Sequence, residues 1–275
     1  MSDVTLMDVG NSSLKWAVAD TLVLGAAHAL AVDDPAALGT NLRPVLAATA
    51  TGPRRIVACC VAADDVRAAV ERAAVSMSTE VHWLHAQAQF DDGAVALRNG
   101  YRDPQQLGAD RWHALLGARM LYPDKALVLV QAGTATTVDG VTADGQFVGG
   151  SILPGVTLMR QSLVRGTARL QVDEQQALVY PRPFPVSTAE AIACGVLDAQ
   201  IGAVQRFMQR FMQPLGGSSR CDDGDAQLVL TGGAGHVLAA ALEASEADHQ
   251  CGPHHLVPDL VLRGLWLRWK HSLET

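Results

Sequence analysis

Short apolar runs alternate along the chain with amphipathic stretches of helical period, and this alternation predicts a mixed α/β protein. In the first half, the pattern predicts strands and hairpins over 4–32, further strands at 56–61 and 81–84, and helices over 35–50, 63–76 and 108–121. The second half restarts with predicted strands at 126–131, 135–141 and 146–150, followed by helices over 155–164, 188–211 and 258–271 and a strand at 227–230. The repeated strand order indicates an internal duplication.

The joins between these elements set the expected domain boundary. Pro123 and Asp124 follow the helix predicted over 108–121, so we expect an N-terminal domain over 1–122 and a C-terminal domain over 123–275. A polar loop is predicted over 91–106. The segment 181–185 is expected to be a stiff extended linker and 216–225 a surface loop. The apolar stripe of the last helix indicates core or dimer packing.

The first apolar strand ends in the sequence DVGNSSLK, at residues 8–15. Asp8 could hold Mg²⁺, Lys15 adds a positive charge, and Gly10 and Asn11 are expected to form a tight turn because both tolerate positive φ. Backbone amides and a serine hydroxyl in such a turn can donate to phosphate oxygens. The predicted phosphate-binding residues are Asp8, Val9, Gly10, Asn11, Ser12, Ser13, Leu14 and Lys15. The alternative is an ordinary hairpin with a surface Asp and Lys.

Two further glycine turns follow apolar strands. One is QAGTATT at 131–137, where Gly133 and Thr134 would form a second phosphate loop; the other is LTGGAG at 230–235, where Gly232 and Gly233 would let the backbone approach an adenosine. Three such turns, each at a strand end, indicate an actin-like nucleotide clamp. The chain has no Walker motif and no GxGxxG dinucleotide fingerprint.

Composition limits the possible functions. The chain has 275 residues, 49% of them hydrophobic, a net charge of −7 and no basic stretch, which argues against a general nucleic-acid binder. Five cysteines at irregular spacing predict neither a disulfide framework nor a zinc site, and adjacent Cys59 and Cys60 are expected to be buried small residues. No signal peptide and no run of roughly 18 apolar residues are present. We therefore expect a cytoplasmic, soluble protein without a membrane partner.

The order of these motifs, together with NGYRDPQQLGADR, GGSILPG and STAEAIACG, resembles type III pantothenate kinase, the family that includes the Bvg accessory factor proteins. The resemblance covers nearly the whole chain. It implies an α/β fold of two duplicated actin-like (ribonuclease H-like) domains with an ATP cleft between them. It also implies a homodimer that phosphorylates pantothenate with ATP and Mg²⁺, the first step of coenzyme A biosynthesis.

The resemblance assigns residues to the substrate. The Asp of the GADR block, Asp110, corresponds to the proton acceptor, and Arg111 to the residue that contacts pantothenate, with Gly108 and Ala109 beside them. From spacing alone, Asp110 could equally be a helix cap beside a surface arginine. Tyr101 and Thr188 match family positions that bind pantothenate, Thr188 close to the partner subunit. Their alternatives are packing for Tyr101 and helix capping for Thr188.

One position departs from the family pattern. The family usually has Asp where this chain has Gln131, and that Asp helps to bind a monovalent cation. Gln131 offers only a neutral carbonyl oxygen, so binding of K⁺ or NH₄⁺ there is in doubt. Gln131 is also the one feature that favours a rival, a non-catalytic regulator that kept the kinase fold. Another small-molecule kinase of the same superfold is the second rival.

Overall fold

The fold is taken from a computed structural model that describes residues 3–48, 55–166, 178–179, 184–213, 226–244 and 253–274. The chain forms two compact units: residues 1–121 together with 259–275 form unit 1, and residues 122–258 form unit 2. Both units are α/β, with one five-stranded sheet each.

Unit 1 is built on a sheet with the strand order β3-β2-β1-β4-β5. β1 pairs antiparallel with β2 and parallel with β4, so hairpin strands and crossover strands meet at β1. Its strands are β1 (Val4–Val9), β2 (Ser13–Ala19), β3 (His28–Ala31), β4 (Arg55–Cys60) and β5 (Glu80–Trp83). The helices α1 (Pro35–Ala48) and α2 (Asp64–Ser76) bury apolar side chains against this sheet, and they form one hydrophobic core with it.

The predicted loop over 91–106 contains regular structure that the sequence pattern did not indicate. Strands β6 (Gln89–Asp91) and β7 (Ala96–Arg98) form a small hairpin, and a short 3₁₀ helix covers Pro104–Gln106. Asp91 and Asp92 accept backbone N–H bonds in the hairpin turn, where Gly93 has a φ of 86°. The polar turn residues that resembled a long loop therefore close a hairpin.

Unit 2 repeats the topology of unit 1. Its sheet has the order β10-β9-β8-β11-β12, again with two antiparallel pairs followed by two parallel ones. Its strands are β8 (Leu127–Ala132), β9 (Ala135–Val141), β10 (Phe147–Pro154), β11 (Gln227–Thr231) and β12 (His254–Leu256). Its helices are α4 (Val156–Gly166), α5 (Thr188–Met212) and α6 (Gly235–Ala244). The prediction of an internal duplication agrees with this shared order.

Most predicted elements lie within a few residues of the observed ones, with three differences in unit 2. β10 continues to Pro154, beyond the predicted end at 150, and α6 and β12 were not predicted. The expected linker at 181–183 and the loop at 216–225 fall outside the described residues, as do Cys221 and Cys251. Cys59, Cys60 and Cys194 are not disulfide-bonded. No helix in the described part of the chain is long and apolar enough to cross a membrane.

The last helix belongs to unit 1, which differs from the predicted C-terminal domain of residues 123–275. This helix, α7 (Leu260–Glu274), packs along α3 (Ala109–Leu121). The two backbones are so close that a Cβ added at Gly264 would lie 1.9 Å from the carbonyl oxygen of His113, and one at Gly117 would lie 2.1 Å from that of Leu260. The apolar stripe predicted on α7 is thus used in the core of unit 1, where Leu260, Leu262, Leu265 and Trp269 are buried.

Candidate active site

Asp8 is the best-defined acidic group of the candidate site. It is the next-to-last residue of β1, paired with Lys15 on β2 and Cys59 on β4, and only 9% of its surface is exposed. Its pKa is raised to about 6: burial contributes most, the nearby charge of Asp110 adds to it, and Lys15 and a hydrogen bond from the Cys59 thiol (3.7 Å) act in the opposite direction. A buried carboxylate next to a second carboxylate is the electrostatic setting that a bound cation would relieve.

The first turn is tied to the neighbouring parallel strand. The Gly10 amide donates to the Ser13 carbonyl (3.0 Å), and the Asn11 side chain donates to the Val61 carbonyl (3.3 Å), just after β4. Neither Gly10 nor Asn11 has a positive φ, so the predicted reason for their presence in the turn is wrong. Gly10 is instead favoured by space, since an added Cβ would lie 3.1 Å from the Ser13 carbonyl oxygen.

Asp110 lies at the second position of α3, where the helix N-terminus favours a negative charge. Its Oδ1 atom accepts a hydrogen bond from the Arg111 amide (2.7 Å). An added Cβ at Gly108 would lie 2.7 Å from the same oxygen, so a side chain there would displace the carboxylate. The structure thus brings Asp110 into the neighbourhood of Asp8 and Lys15, as their electrostatic interaction indicates.

Arg111 is buried, which contradicts the part of the capping alternative that placed a surface arginine beside Asp110. It is 5% exposed, and its Nη1 atom donates to the Tyr101 hydroxyl (3.0 Å), with the guanidinium 5.7 Å from the Tyr101 ring centre. Asn99 positions Tyr101: its side-chain oxygen accepts from the Tyr101 amide (3.0 Å), and its side-chain nitrogen donates to the carbonyls of Gln87 and Pro104. Asn99 therefore fixes Tyr101, and Tyr101 in turn fixes the guanidinium of Arg111, the residue that follows Asp110.

Thr188 is the first residue of α5, and it is exposed. The residue that caps the helix is Ser187, whose hydroxyl accepts from the Glu190 amide (3.3 Å), while Glu190 accepts from the Val186 amide (2.9 Å). The alternative that Thr188 is the cap is therefore wrong, and the S-x-x-E spacing of 187–190 was the local signal that identified the true cap. Capping leaves the Thr188 hydroxyl available for another role.

Two glycines of unit 2, Gly155 and Gly232, pack directly against the backbone at the end of β8. A Cβ added at Gly155 would lie 2.2 Å from the Gly133 carbonyl oxygen, and Gly155 donates to the Thr134 carbonyl (2.9 Å). Gly232 has a φ of 92°, and its added Cβ would lie 2.4 Å from the Ala132 carbonyl oxygen. Close approach therefore requires glycine at 155 and 232, and at 232 the left-handed backbone does so as well, whereas a Cβ at Gly133 or Gly233 would meet no close contact.

Gln131 occupies in β8 the place that Asp8 occupies in β1. Each is the next-to-last residue of the central strand and lies two residues before the turn glycine, Gly10 or Gly133. Gln131 is half-buried and is paired with Thr137 on β9 and Thr231 on β11. These two threonines bring hydroxyl groups to the neighbouring strands, and the Thr137 hydroxyl donates to the fully buried Asp139 (3.2 Å).

Sequence reasoning missed three residues that shape the site. Cys59 was predicted only as a small buried residue, but its thiol donates to Asp8. Asn99 holds Tyr101, and its sequence context of turn residues gave no sign of that contact. His113 is fully buried with its Nδ1 atom 2.6 Å from the Ala109 carbonyl oxygen, and burial lowers its pKa to about 3, which keeps the imidazole neutral inside α3.

The described residues contain no group of three or more His, Cys, Asp or Glu side chains arranged to hold a metal by themselves. The carboxylate pair in unit 1 and the oxygen donors around Gln131 therefore suit cations that keep other ligands, such as water or phosphate oxygens. In unit 1, the carboxylate pair can bind a cation or accept a proton, and the arginine held by Tyr101 can bind an anion.

The family model for type III pantothenate kinase matches residues 4–210. Two similar proteins with this name come from Aromatoleum aromaticum, 39% identical over 95% of this chain and 96% of the relative, and from an Azoarcus species, 40% identical over 95% and 89%. Both matches extend over nearly the whole length of each chain.

Two solved structures show the same fold at low sequence identity. MreB5 of Spiroplasma citri bound to ADP has a TM-score of 0.59 and 10% identity, with 100% of this chain and 99% of that chain covered. The ethanolamine utilization protein EutJ of Carboxydothermus hydrogenoformans has a TM-score of 0.55 and 12% identity, with 97% and 90% covered. With two α/β units of like topology, these matches identify the actin-like ATPase fold.

Proposed function

The chain belongs to the type III pantothenate kinase family, and from that premise we propose which of its residues carry out the ATP-dependent phosphorylation of pantothenate. The enzyme converts pantothenate to 4′-phosphopantothenate, the first step of coenzyme A biosynthesis. We assign it to the cytoplasm and propose that it acts as a homodimer.

Asp110 is the base that accepts the proton of the pantothenate hydroxyl. The observation that carries this assignment is the position of Asp110 at the start of α3, with one oxygen held by the Arg111 amide and with the Tyr101–Arg111 pair beside it. Arg111 binds the substrate carboxylate, since a guanidinium matches that group in charge and geometry. Tyr101 and Gly108 hold Arg111 and Asp110 in place, and the hydroxyl of Thr188 contacts pantothenate.

The glycine turns bind ATP. In the first turn, Ser12, Ser13 and the backbone amides donate to phosphate oxygens, and Lys15 supplies a positive charge. Gly133 and Thr134 do the same in the second turn, and Gly232 and Gly233 lie against the adenosine. Positioning and charge neutralisation provide most of the rate in such transfers.

Asp8 would hold Mg²⁺, and its burial next to Asp110 is the observation that fits a cation there. When bound, the ion neutralises charge on the phosphates of ATP. Gln131 would bind K⁺ or NH₄⁺ through its amide oxygen, with the hydroxyls of Thr137 and Thr231 on the neighbouring strands.

The test is a coupled assay of ATP and pantothenate with Mg²⁺ and K⁺ or NH₄⁺, in the natural protein and in Asp110→Asn. Loss of a general base typically slows a reaction ~10²–10⁴-fold, and we expect a fall in kcat of that size while pantothenate binding is kept. Asp64→Asn is the matched control, because Asp64 also lies in the first turn of a helix, α2, and is exposed. A rate for Asp110→Asn close to that of the control would remove Asp110 from the catalytic role.

The regulatory alternative depended on Gln131 alone. The chain keeps Asp8, Lys15, Asp110 and Arg111, the residues that a non-catalytic protein has no need to retain. No product from purified protein at high ATP, with both monovalent cations tested, would favour that alternative.

A further inference from the structure

Unit 1 contains a second concave site, separate from the residues assigned to the reaction. A cavity of about 520 Å³ is lined by the start of β4, by β5 and β6, and by the C-terminal end of α7. None of its lining residues belongs to the phosphate turns or to the Tyr101–Arg111 and Asp110 group. Its volume is within the range of sites that bind small molecules.

Arg268 is the most unusual group in this cavity. Its Nη1 atom is sealed from solvent and has no hydrogen-bond acceptor among the described residues. Burial lowers the pKa of Arg268, and its guanidinium lies 6.0 Å from the ring centre of Phe90, a contact with an uncharged group. Arg268 also lines the cavity, and no carboxylate among the described residues is paired with it, so an anion in the cavity would compensate its partly buried charge.

The other charged groups make the cavity net positive. Arg55, at the start of β4, adds a second guanidinium from a different element. His82 and His271 also line the cavity, and His82 lies 3.6 Å from the exposed Glu80. Among the described lining residues the one carboxylate is Asp91, which accepts a hydrogen bond from the Gly93 amide and so serves the hairpin turn.

The rest of the lining is mixed, with polar side chains from Gln87, Gln89 and Ser272 and four apolar ones. Val57, Leu84, Phe90 and Trp269 line the cavity, and the His271 ring meets Phe90 edge-on with 5.2 Å between ring centres. An inorganic ion would contact the arginines and leave this surface unused. A ligand with an anionic end and an apolar body fits both parts of the cavity.

We propose that this cavity binds a small organic anion, a carboxylate or a phosphate ester with an apolar body, and that Arg268 holds its anionic end. Arg55, on a different element, contributes a second charge, while Phe90 and Trp269 contact the apolar part.

The experiment is calorimetric titration of the full chain with two probes, phenyl phosphate and benzoate, which share an apolar body and differ in the anionic group. Saturating ADP and pantothenate are present, so that the phosphate turns and the substrate site are occupied. Each probe is tested against the natural protein, Arg268→Met, Arg55→Gln and the control Arg263→Met. Arg263 lies on the same helix but pairs with Asp259 (2.9 Å) outside the cavity.

We expect at least one probe to bind the natural protein with a Kd of about 1 mM or lower, and the tighter probe identifies the anion class. Loss of a charge-assisted hydrogen bond should weaken binding roughly tenfold or more in Arg268→Met. Arg55→Gln, an exposed position that leaves the core intact, should weaken it severalfold, and Arg263→Met should bind as the natural protein does.

Three results would overturn the proposal: no binding of either probe at millimolar concentration, equal affinity in the natural protein and both cavity variants, or binding that occurs only when ADP and pantothenate are left out.

Discussion

At the scale of single residues, the candidate site contains a buried carboxylate whose ionisation lowers the free energy of unfolding. Asp8 is buried and close to Asp110, and its pKa of about 6 lies above the ordinary value of 3.8. The folded protein therefore binds more protons than the unfolded chain between these two values. Its free energy of unfolding falls as the pH rises through that window. The ionised Asp8 that a cation needs is thus destabilising until the cation is bound.

We predict that Asp8→Asn makes the ligand-free protein more stable at neutral pH and abolishes kinase activity. The gain in unfolding free energy should be about 1–3 kcal/mol at pH 7, should shrink as the pH is lowered from about 6 to about 4, and should vanish below that, where Asp8 is protonated in both states. Denaturant unfolding at pH 4 and pH 7 measures this difference. Asp64→Asn is the control, and an Asp8→Asn gain that does not change with pH would contradict the raised pKa.

Gln131 supports a second prediction at this scale. An Asp in its place would attract K⁺ by Coulomb energies that reach about 4 kcal/mol at 4 Å and an effective dielectric constant near 20, and desolvation offsets much of this. We expect Gln131→Asp to lower the K⁺ concentration needed for half-maximal rate, while the neutral Gln131→Asn should not. A rate titration with K⁺ at constant ionic strength measures this. The same half-saturation in all three proteins would show that residue 131 does not set cation affinity.

At the scale of elements, packing between α3 and α7 positions the helix that carries the proposed base. α3 carries Asp110 and Arg111 in its first turn, and α7 crosses it with backbone contacts at Gly117 and Gly264. Trp266 of α7 also donates to the Asp20 carbonyl (2.8 Å) at the end of β2. Packing against α7 therefore fixes the position of α3, the helix whose first turn carries Asp110 and Arg111.

We predict that Gly264→Ala destabilises the protein, because the added methyl group would overlap the His113 carbonyl oxygen. Overpacking of this kind costs about 1–3 kcal/mol, and more where backbone must move. Gly202→Ala is the matched control, since Gly202 is a helical glycine of α5 with nothing within 4 Å of its added Cβ. That change should stabilise by roughly 0.5–1 kcal/mol through helix propensity. The measurement is the midpoint of thermal unfolding of both variants. Equal midpoints would show that the two helices can move apart to accommodate the methyl group.

At the scale of the whole molecule, the residues proposed for the reaction come from two units of the same topology. Asp8, Tyr101, Asp110 and Arg111 belong to unit 1, whereas Gln131 and Thr188 belong to unit 2. The proposed homodimer adds the possibility that Thr188 serves the site of the partner subunit.

A mixing experiment tests this arrangement. If Thr188 of one subunit completes the site of the other, then Asp110→Asn and Thr188→Ala subunits, each poorly active alone, should regain activity when they exchange. A random mixture would restore roughly a quarter of the sites, because half of the dimers are mixed and each has one intact site. Sedimentation tests for the dimer. In the control mixture, Ser187→Ala replaces Thr188→Ala, because it removes only the helix cap. Activity equal to the average of the separate variants would place each site within one subunit.

Much of the fold and of the chemistry could be predicted from the sequence, because those features depend on short-range patterns. The strands β1 and β8 end in polar turns that are visible as DVGN and QAGT, and their repeated order indicated the duplication that the two sheets display. The positive φ at residue 232 favours glycine whatever surrounds it in space, so this turn could also be recognised from the local sequence. The cap at Ser187 was equally local, but the sequence analysis considered only Thr188 as the cap.

Other features were decided only by tertiary structure, because they depend on residues far apart in the chain. The pKa of Asp8 depends on Cys59 and Asp110, which three separate segments bring together. The assignment of α7 to unit 1 depends on its packing against α3, although its neighbours in sequence lie in unit 2. The cavity around Arg268 likewise depends on strands and a helix from opposite ends of the chain. Periodicity determines which face of an element is apolar, and only packing determines which other element covers that face.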